Sequence, residues 1–229
     1  MHRRMTLKKT IAALLFPRYS AFIDKLNWNA KWMTTVEAAR DVPIYQTRLE
    51  LHRFVQSRET GPIDYMEFGV FQGESLRWWC EANSHAESRF FGFDSFEGLP
   101  EAWSPKTWSA TFPKGTFSTG GSIPDIKDSR VQFVVGWFQE TLPAFLASYQ
   151  ARECSLVVHC DSDLYSSALF CLTSLNRIIP RGSIIIFDEL NDVLSEYRAL
   201  TNYAAAYLRQ WRFIAATEYF AQAAVEITE

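Results

Sequence analysis

From residue 43 onward, short apolar runs alternate with longer stretches of helical period. Residues 63–68, 89–93, 131–135, 155–160 and 183–187 are brief apolar runs bounded by turn residues. Such runs suit strands buried on both faces of a parallel sheet. Between them, residues 74–82, 139–149, 164–179 and 195–209 carry helical spacing. Residues 43–58 also read as a helix, with Ile44, Leu51 and Val55 on its core face. Pro43 would occupy the first turn, where its missing N–H costs nothing. Runs 212–217 and 223–228 lie too close together for an intervening helix, so they read as an antiparallel pair. The pattern predicts an α/β fold: a doubly wound, mostly parallel, seven-stranded sheet with one antiparallel strand. It divides the chain into an N-terminal extension, residues 1–42 and partly helical, and a single domain, residues 43–229.

The strand ends carry the candidate chemistry. In an open parallel sheet, ligands bind at the carboxyl ends of the strands. Here those ends read Glu67, Asp94, Asp161, and Asp188 with Glu189. The turn after the first of them, Gly69-Val70-Phe71-Gln72-Gly73, lets backbone approach a ligand and leads into a helix with free N–H groups. A glycine pair of this spacing has low specificity, and the nicotinamide fingerprint is absent. Asp94 ends the second strand, where an acid can accept both hydroxyls of an adenosine ribose; a turn aspartate is the structural alternative. Gly136-Trp137 follows the third strand, where the indole would cover an adenine face or fill the core. Carboxylates at Asp161, Asp188 and Glu189, on adjacent strands, would supply hard oxygen ligands for Mg²⁺.

Composition narrows this picture without redirecting it. The chain has 229 residues, 48% hydrophobic, enough for one sizeable core. A net charge of -3 argues against nucleic acid as a partner. Cys80, Cys154, Cys160 and Cys171 form no C-x-x-C pair, and the last three read as small core residues in a reducing cytoplasm. The basic segment 1–18 is too short and too charged for a transmembrane span. It reads as a solvated arm or a homo-oligomer contact, with an anionic membrane surface as the alternative.

A family resemblance joins these features. The stretches Glu67-Phe68-Gly69-Val70, Phe91-Gly92-Phe93-Asp94-Ser95-Phe96-Glu97-Gly98-Leu99-Pro100-Glu101, Gly136-Trp137-Phe138-Gln139-Glu140-Thr141-Leu142-Pro143 and Asp161-Ser162-Asp163-Leu164-Tyr165-Ser166-Ser167 resemble macrocin O-methyltransferase-like enzymes. They occur in family order across roughly residues 45–190. The resemblance implies a Rossmann-like class I S-adenosylmethionine-dependent methyltransferase, often magnesium-assisted, whose relatives methylate sugar hydroxyls of natural products. It places Glu67, Gly69, Gly73, Ser75, Asp94 and Ser95 around the cofactor, with Phe71 in the same turn. The chain departs from the pattern at Glu189, where relatives usually carry a second aspartate.

For methyl transfer to a hydroxyl, a metal would lower the hydroxyl pKa and a base would take its proton. The candidate bases are Asp163 and His159; a helix-capping Asp163 and a core His159 are the structural alternatives. The loop at residues 97–125, with Trp103, Trp108, Phe112 and Phe117, reads as a lid over the acceptor. Tyr197 and Arg198 are further candidates for acceptor contact. The rivals are a metal-dependent nucleotide-sugar glycosyltransferase using Asp161-x-Asp163 and a non-catalytic cofactor-binding homologue.

Overall fold

The computed structural model describes residues 2–105 and 110–229, with side chains from Tyr19 onward. Trp108 lies outside the described residues. Two units are distinguished, one up to Ala38 and one from Ala39 to Glu229. The first is a single helix, α1 (His2–Ala38). No described helix is long and apolar enough to cross a membrane.

In the second unit, β1 (Ile44–Tyr45), α2 (Arg48–Arg58), β2 (Ile63–Phe68), α3 (Glu74–Ala82) and β3 (Arg89–Asp94) come first. Then follow β4 (Val131–Val135), α4 (Phe138–Ser148), β5 (Ser155–Cys160), α5 (Tyr165–Leu175) and β6 (Ile184–Phe187). The chain closes with α6 (Glu196–Tyr207), β7 (Trp211–Thr217) and β8 (Ala223–Ile227). Among the described residues the sheet has 8 strands in the order β1-β7-β8-β6-β5-β2-β3-β4. Strand β8 alone runs against its neighbours β6 and β7. Every residue of β2 and of β6 is buried, as parallel central strands require. Helix α3 packs through Leu76, Trp79 and Cys80, spaced for one face. Trp79 stacks on Tyr65 with centroids 4.8 Å apart. Both rings are fully buried, each contributing roughly 1.5–3 kcal/mol.

The sheet departs from expectation at its edge. The predicted helix at 43–58 starts only at Arg48, because Thr47 adopts an extended conformation and forms a capping box with Glu50. The residues before it pair with β7 instead: Ala216 N–H donates to Pro43 O at 3.0 Å. This two-residue β1 makes the sheet eight-stranded rather than seven-stranded, and Ile44 is 49% exposed rather than in the core. Leu51 and Val55 are fully buried. Helix α5 stops at Leu175, short of residue 179, where Arg209 donates to the Asn176 and Ile179 carbonyls. Cys154 is half-buried rather than core, and Cys80 is buried; all four cysteines are free.

An unanticipated anchor lies at the amino ends of the strands. Asp64 on β2 is fully buried and is held by Arg89, by Arg152 at 2.6 Å and by the Tyr149 hydroxyl at 2.5 Å. Burial opposes its ionisation, but these bonds outweigh it and hold the carboxyl below its ordinary range. A buried charge so completely partnered pins β2, β3 and the end of α4 at the pole opposite the site.

Candidate functional site

Register brings the strand ends level. Glu67 lies opposite Gly92 and His159, and Cys160 opposite Phe68 and Phe187, so the residues following β2, β3, β5 and β6 share one crevice. Gly69 makes this closeness work. Its φ is +98°, and a Cβ there would lie 1.7 Å from the Asp161 carbonyl oxygen. Only glycine lets the two strand ends approach so nearly.

Asp94 fixes the turn that follows. Its Oδ2 accepts from the N–H groups of Val70 and Phe71, both at 2.8 Å, and its Oδ1 from Phe96 N–H at 2.7 Å. An ionised carboxylate offers about four lone-pair sites. Three of these sites are taken by the backbone N–H groups, which leaves about one free while those bonds persist. Asp94 is first a buttress for the turn.

The crevice encloses a cavity of about 370 Å³. Glu67, Gly69, Phe71, Ser75, Asp94, Ser95 and Trp137 line it from one side; Asp161, Asp163, Asp188 and Glu189 line it from the other. Three expected site residues do not reach it. Gly73 packs against Pro124, which would lie 2.9 Å from an added Cβ, and Gly136 faces the Thr141 side chain. His159 is fully buried beneath the cavity floor. The described residues of the loop after β3 fold against one another. Trp103 and Phe112 exchange backbone hydrogen bonds at 2.8 and 2.7 Å, and their rings stack at 5.1 Å. Phe117 continues this ladder to Phe71, and Leu99, Pro100, Trp103 and Phe117 wall the cavity. Tyr197 is buried in the core, and Arg198 lies over the Tyr165 ring, so neither lines the cavity.

The acidic half holds two clusters of potential ligand atoms, each within 4.8 Å: His159, Asp161 and Asp188; and Asp161, Asp163 and Glu189. Arg48 threads between them. Its Nη2 donates to Asp161 Oδ2 at 2.8 Å and to Ser75 Oγ at 2.7 Å, and its Nη1 donates to Asp188 Oδ2 at 3.2 Å. Its Nε lies 3.1 Å from Asp188 Oδ1. No local signal in the sequence links Arg48 to acids more than a hundred positions away. Beneath the floor, the Tyr65 hydroxyl donates to Glu67 Oε2 at 2.6 Å and lies 3.0 Å from His159 Nδ1. His159 Nε2 points toward Asp188 Oδ1 at 3.8 Å. His159 thus stands behind Asp188 and does not line the cavity.

The same geometry sets the protonation states. Burial, with the neighbouring Asp188 charge, pushes Asp161 up to about 7 against the pull of Arg48. Burial and the charges of Asp161 and Asp188 push Asp163 up to about 8. Glu189 is driven well above its ordinary range by burial and by Asp188. Asp188 goes the other way: burial opposes its charge, but His159 and Arg48 hold it low. Burial alone would lower His159, yet Asp188 and Glu67 raise it to about 9. Asp163 sits in the left-handed region, φ +58°, and helix α5 is capped at Leu164 with no side-chain cap. The capping role for Asp163 is therefore excluded.

A family model described as a methyltransferase domain matches residues 66–190. Over 157 residues the chain is 29% identical to the 8-demethyl-8-(2,3-dimethoxy-alpha-L-rhamnosyl)-tetracenomycin-C 4'-O-methyltransferase of Streptomyces olivaceus, covering 60% of this chain and 58% of that protein. The chain thus spans less than two thirds of that relative's length. Among solved structures, the calicheamicin methyltransferase CalS11 is similar with a TM-score of 0.58 at 22% identity, over 76% of each chain. Another, described as containing Mg and SAM, has a TM-score of 0.52 at 12% identity, over 81% of this chain and 77% of its own. Both structural likenesses show the shared fold.

Proposed function

This chain belongs to the methyltransferase-domain family, and we propose that it is an S-adenosylmethionine-dependent O-methyltransferase acting on a hydroxyl of a sugar or other small natural product. The observation carrying this reading is the two-sided crevice: a turn locked by Gly69 and Asp94 faces a group of buried carboxylates across one cavity. The sugar-modifying relative supports the acceptor class. A glycosyltransferase would use the acidic half but has no need of the Gly69–Asp94 turn.

The cofactor supplies an electrophilic sulfonium methyl group. Gly69, Ser75, Ser95 and Trp137 line the half of the cavity that would hold it, and Asp94 retains about one acceptor site for a ribose hydroxyl. The carboxylates also suit a hard divalent cation. The donors are oxygens, and Glu189 Oε2 is buried without a hydrogen-bond partner among the described residues. The extra methylene of Glu189 does not remove it from the cluster, since its carboxylate stays within 4.8 Å of Asp161 and Asp163. Asp161, which belongs to both clusters, would hold the ion together with Asp188 or Glu189, and the ion's Lewis acidity would acidify the acceptor hydroxyl.

The protein's own part is positioning and proton handling. Asp163 is the proposed general base. It faces the cavity, makes no helix cap, and its raised pKa suits a base working near neutral pH. Behind Asp188, the Tyr65 hydroxyl bonds to Glu67 and lies beside His159, whose Nε2 is 3.8 Å from Asp188 Oδ1. The Trp103–Phe112–Phe117 ladder shields the cavity wall from water.

Calorimetric titration of the protein with S-adenosylmethionine tests the reading. We expect saturable micromolar binding, followed by methyl transfer to glycosylated acceptors. Absence of binding, with and without magnesium, would remove the methyltransferase assignment.

A further inference from the structure

The Arg48 guanidinium sits where a cation shared by Asp161 and Asp188 would sit. One planar cation bridges carboxylates from neighbouring strands, with contacts of 2.8 Å to Asp161 and 3.1–3.2 Å to Asp188. A magnesium ion on those carboxylates needs oxygens at about 2.1 Å in near-octahedral array. The lone pairs it would use already face the guanidinium, and two cations at this separation repel strongly. The Arg48 backbone is not free to withdraw. It is the first residue of α2, behind the Thr47–Glu50 capping box. The side chain has a way out, being 38% exposed. Glu189 Oε2, beside Asp163, and Asp188 Oδ1 are buried with no hydrogen-bond partner among the described residues.

We propose that Arg48 is a built-in competitor for the divalent cation: guanidinium and metal exclude each other at Asp161 and Asp188, and the ion binds only when the Arg48 side chain swings out. This rests on the reading of the acidic centre as a cation site. Two consequences follow. In the cation-free protein the guanidinium compensates the carboxylates of Asp188 and Asp161, which it contacts. Apparent metal affinity is reduced by the fraction of molecules with Arg48 in place.

The test is Mn²⁺ binding to the full chain, read from the free-ion signal in electron paramagnetic resonance, for wild type, Arg48→Met and Arg48→Lys. Expected is at least about tenfold tighter binding for Arg48→Met and an intermediate gain for Arg48→Lys, whose point charge cannot bridge both carboxylates. Circular dichroism checks folding; if Arg48→Met does not fold, Arg48→Lys decides by the same criterion. Wild-type affinity equal to or tighter than that of the folded variants would overturn the competition while leaving the cation site intact. No Mn²⁺ binding by any of the three would overturn both. Calorimetric binding of S-adenosylmethionine reports separately on the cofactor half.

Discussion

A three-glycine series isolates the contact on which the crevice depends. Gly69→Ala combines two penalties: φ is +98°, and the new Cβ would lie 1.7 Å from the Asp161 carbonyl oxygen. Gly182 shares only the first, with φ +89° and nothing within 4 Å of an added Cβ. Gly61 has neither a positive φ nor a neighbour. The left-handed backbone costs an L-residue about 1–2 kcal/mol. The clash at Gly69 cannot be relieved by rotating a side chain, because the obstructing atom is backbone on the next strand. Overpacking of that kind adds about 1–3 kcal/mol or more. Gly182→Ala should therefore lower Tm by roughly 2–8 °C, using about 2–4 °C per kcal/mol for a chain of this size. Gly69→Ala should cost about 2–5 kcal/mol in urea unfolding and also lose cofactor affinity, since the β2 and β5 ends must part. Gly61→Ala should be neutral or stabilising by up to about 1 kcal/mol. The measurements are urea denaturation followed by circular dichroism and calorimetric cofactor titration. A Gly69→Ala protein as stable as Gly182→Ala, with unchanged cofactor affinity, would refute the claim that this approach shapes the site.

Other outcomes test the acidic half. Asp163→Asn should reduce methyl transfer by about 10²–10⁴-fold while cofactor affinity stays within about threefold; unaltered turnover would dismiss Asp163 as the base. Stability should fall as pH rises from about 5 to about 8: Asp161 and Asp163 hold protons in the folded state that the unfolded chain has released, so their contribution is full below about pH 4 and is lost through about 7 and about 8. His159, raised to about 9, adds a loss of the same sign from about 6.5 upward. Thermal melts across this range, with and without about 10 mM Mg²⁺, should show the cation flattening the decline by stabilising the ionised carboxylates. A decline untouched by the ion would count against cation binding.

Local pattern determined the strands and most helices. Residues 63–68 and 155–160 are buried along nearly their whole length, and α3 carries its own amphipathic spacing, so neither needed a distant partner to be recognised; 131–135 forms its strand as expected but lies at the sheet edge, half-exposed rather than buried on both faces. Order along the chain then placed Glu67, Asp94, Asp161 and Asp188 at adjacent strand ends. The start of α2 was missed because Pro43 satisfies the first-turn rule equally well as an edge residue whose carbonyl accepts from β7. That choice depends on a partner more than 170 positions away. Glycine roles divided in the same way: Gly69 and Gly73 look alike in sequence, yet one admits a neighbouring strand end and the other a proline side chain. Asp94 was read from its position as a ligand group; only folding showed three backbone N–H groups on its carboxylate. His159 was placed correctly on β5, but side-chain packing put its ring under Asp188 instead of in the cavity. The identities and order of the acids were thus written in the chain, because strand alternation and strand ends are local properties. Which cation meets them was decided by tertiary structure alone, because Arg48 reaches Asp161 and Asp188 through space and no periodicity records that meeting.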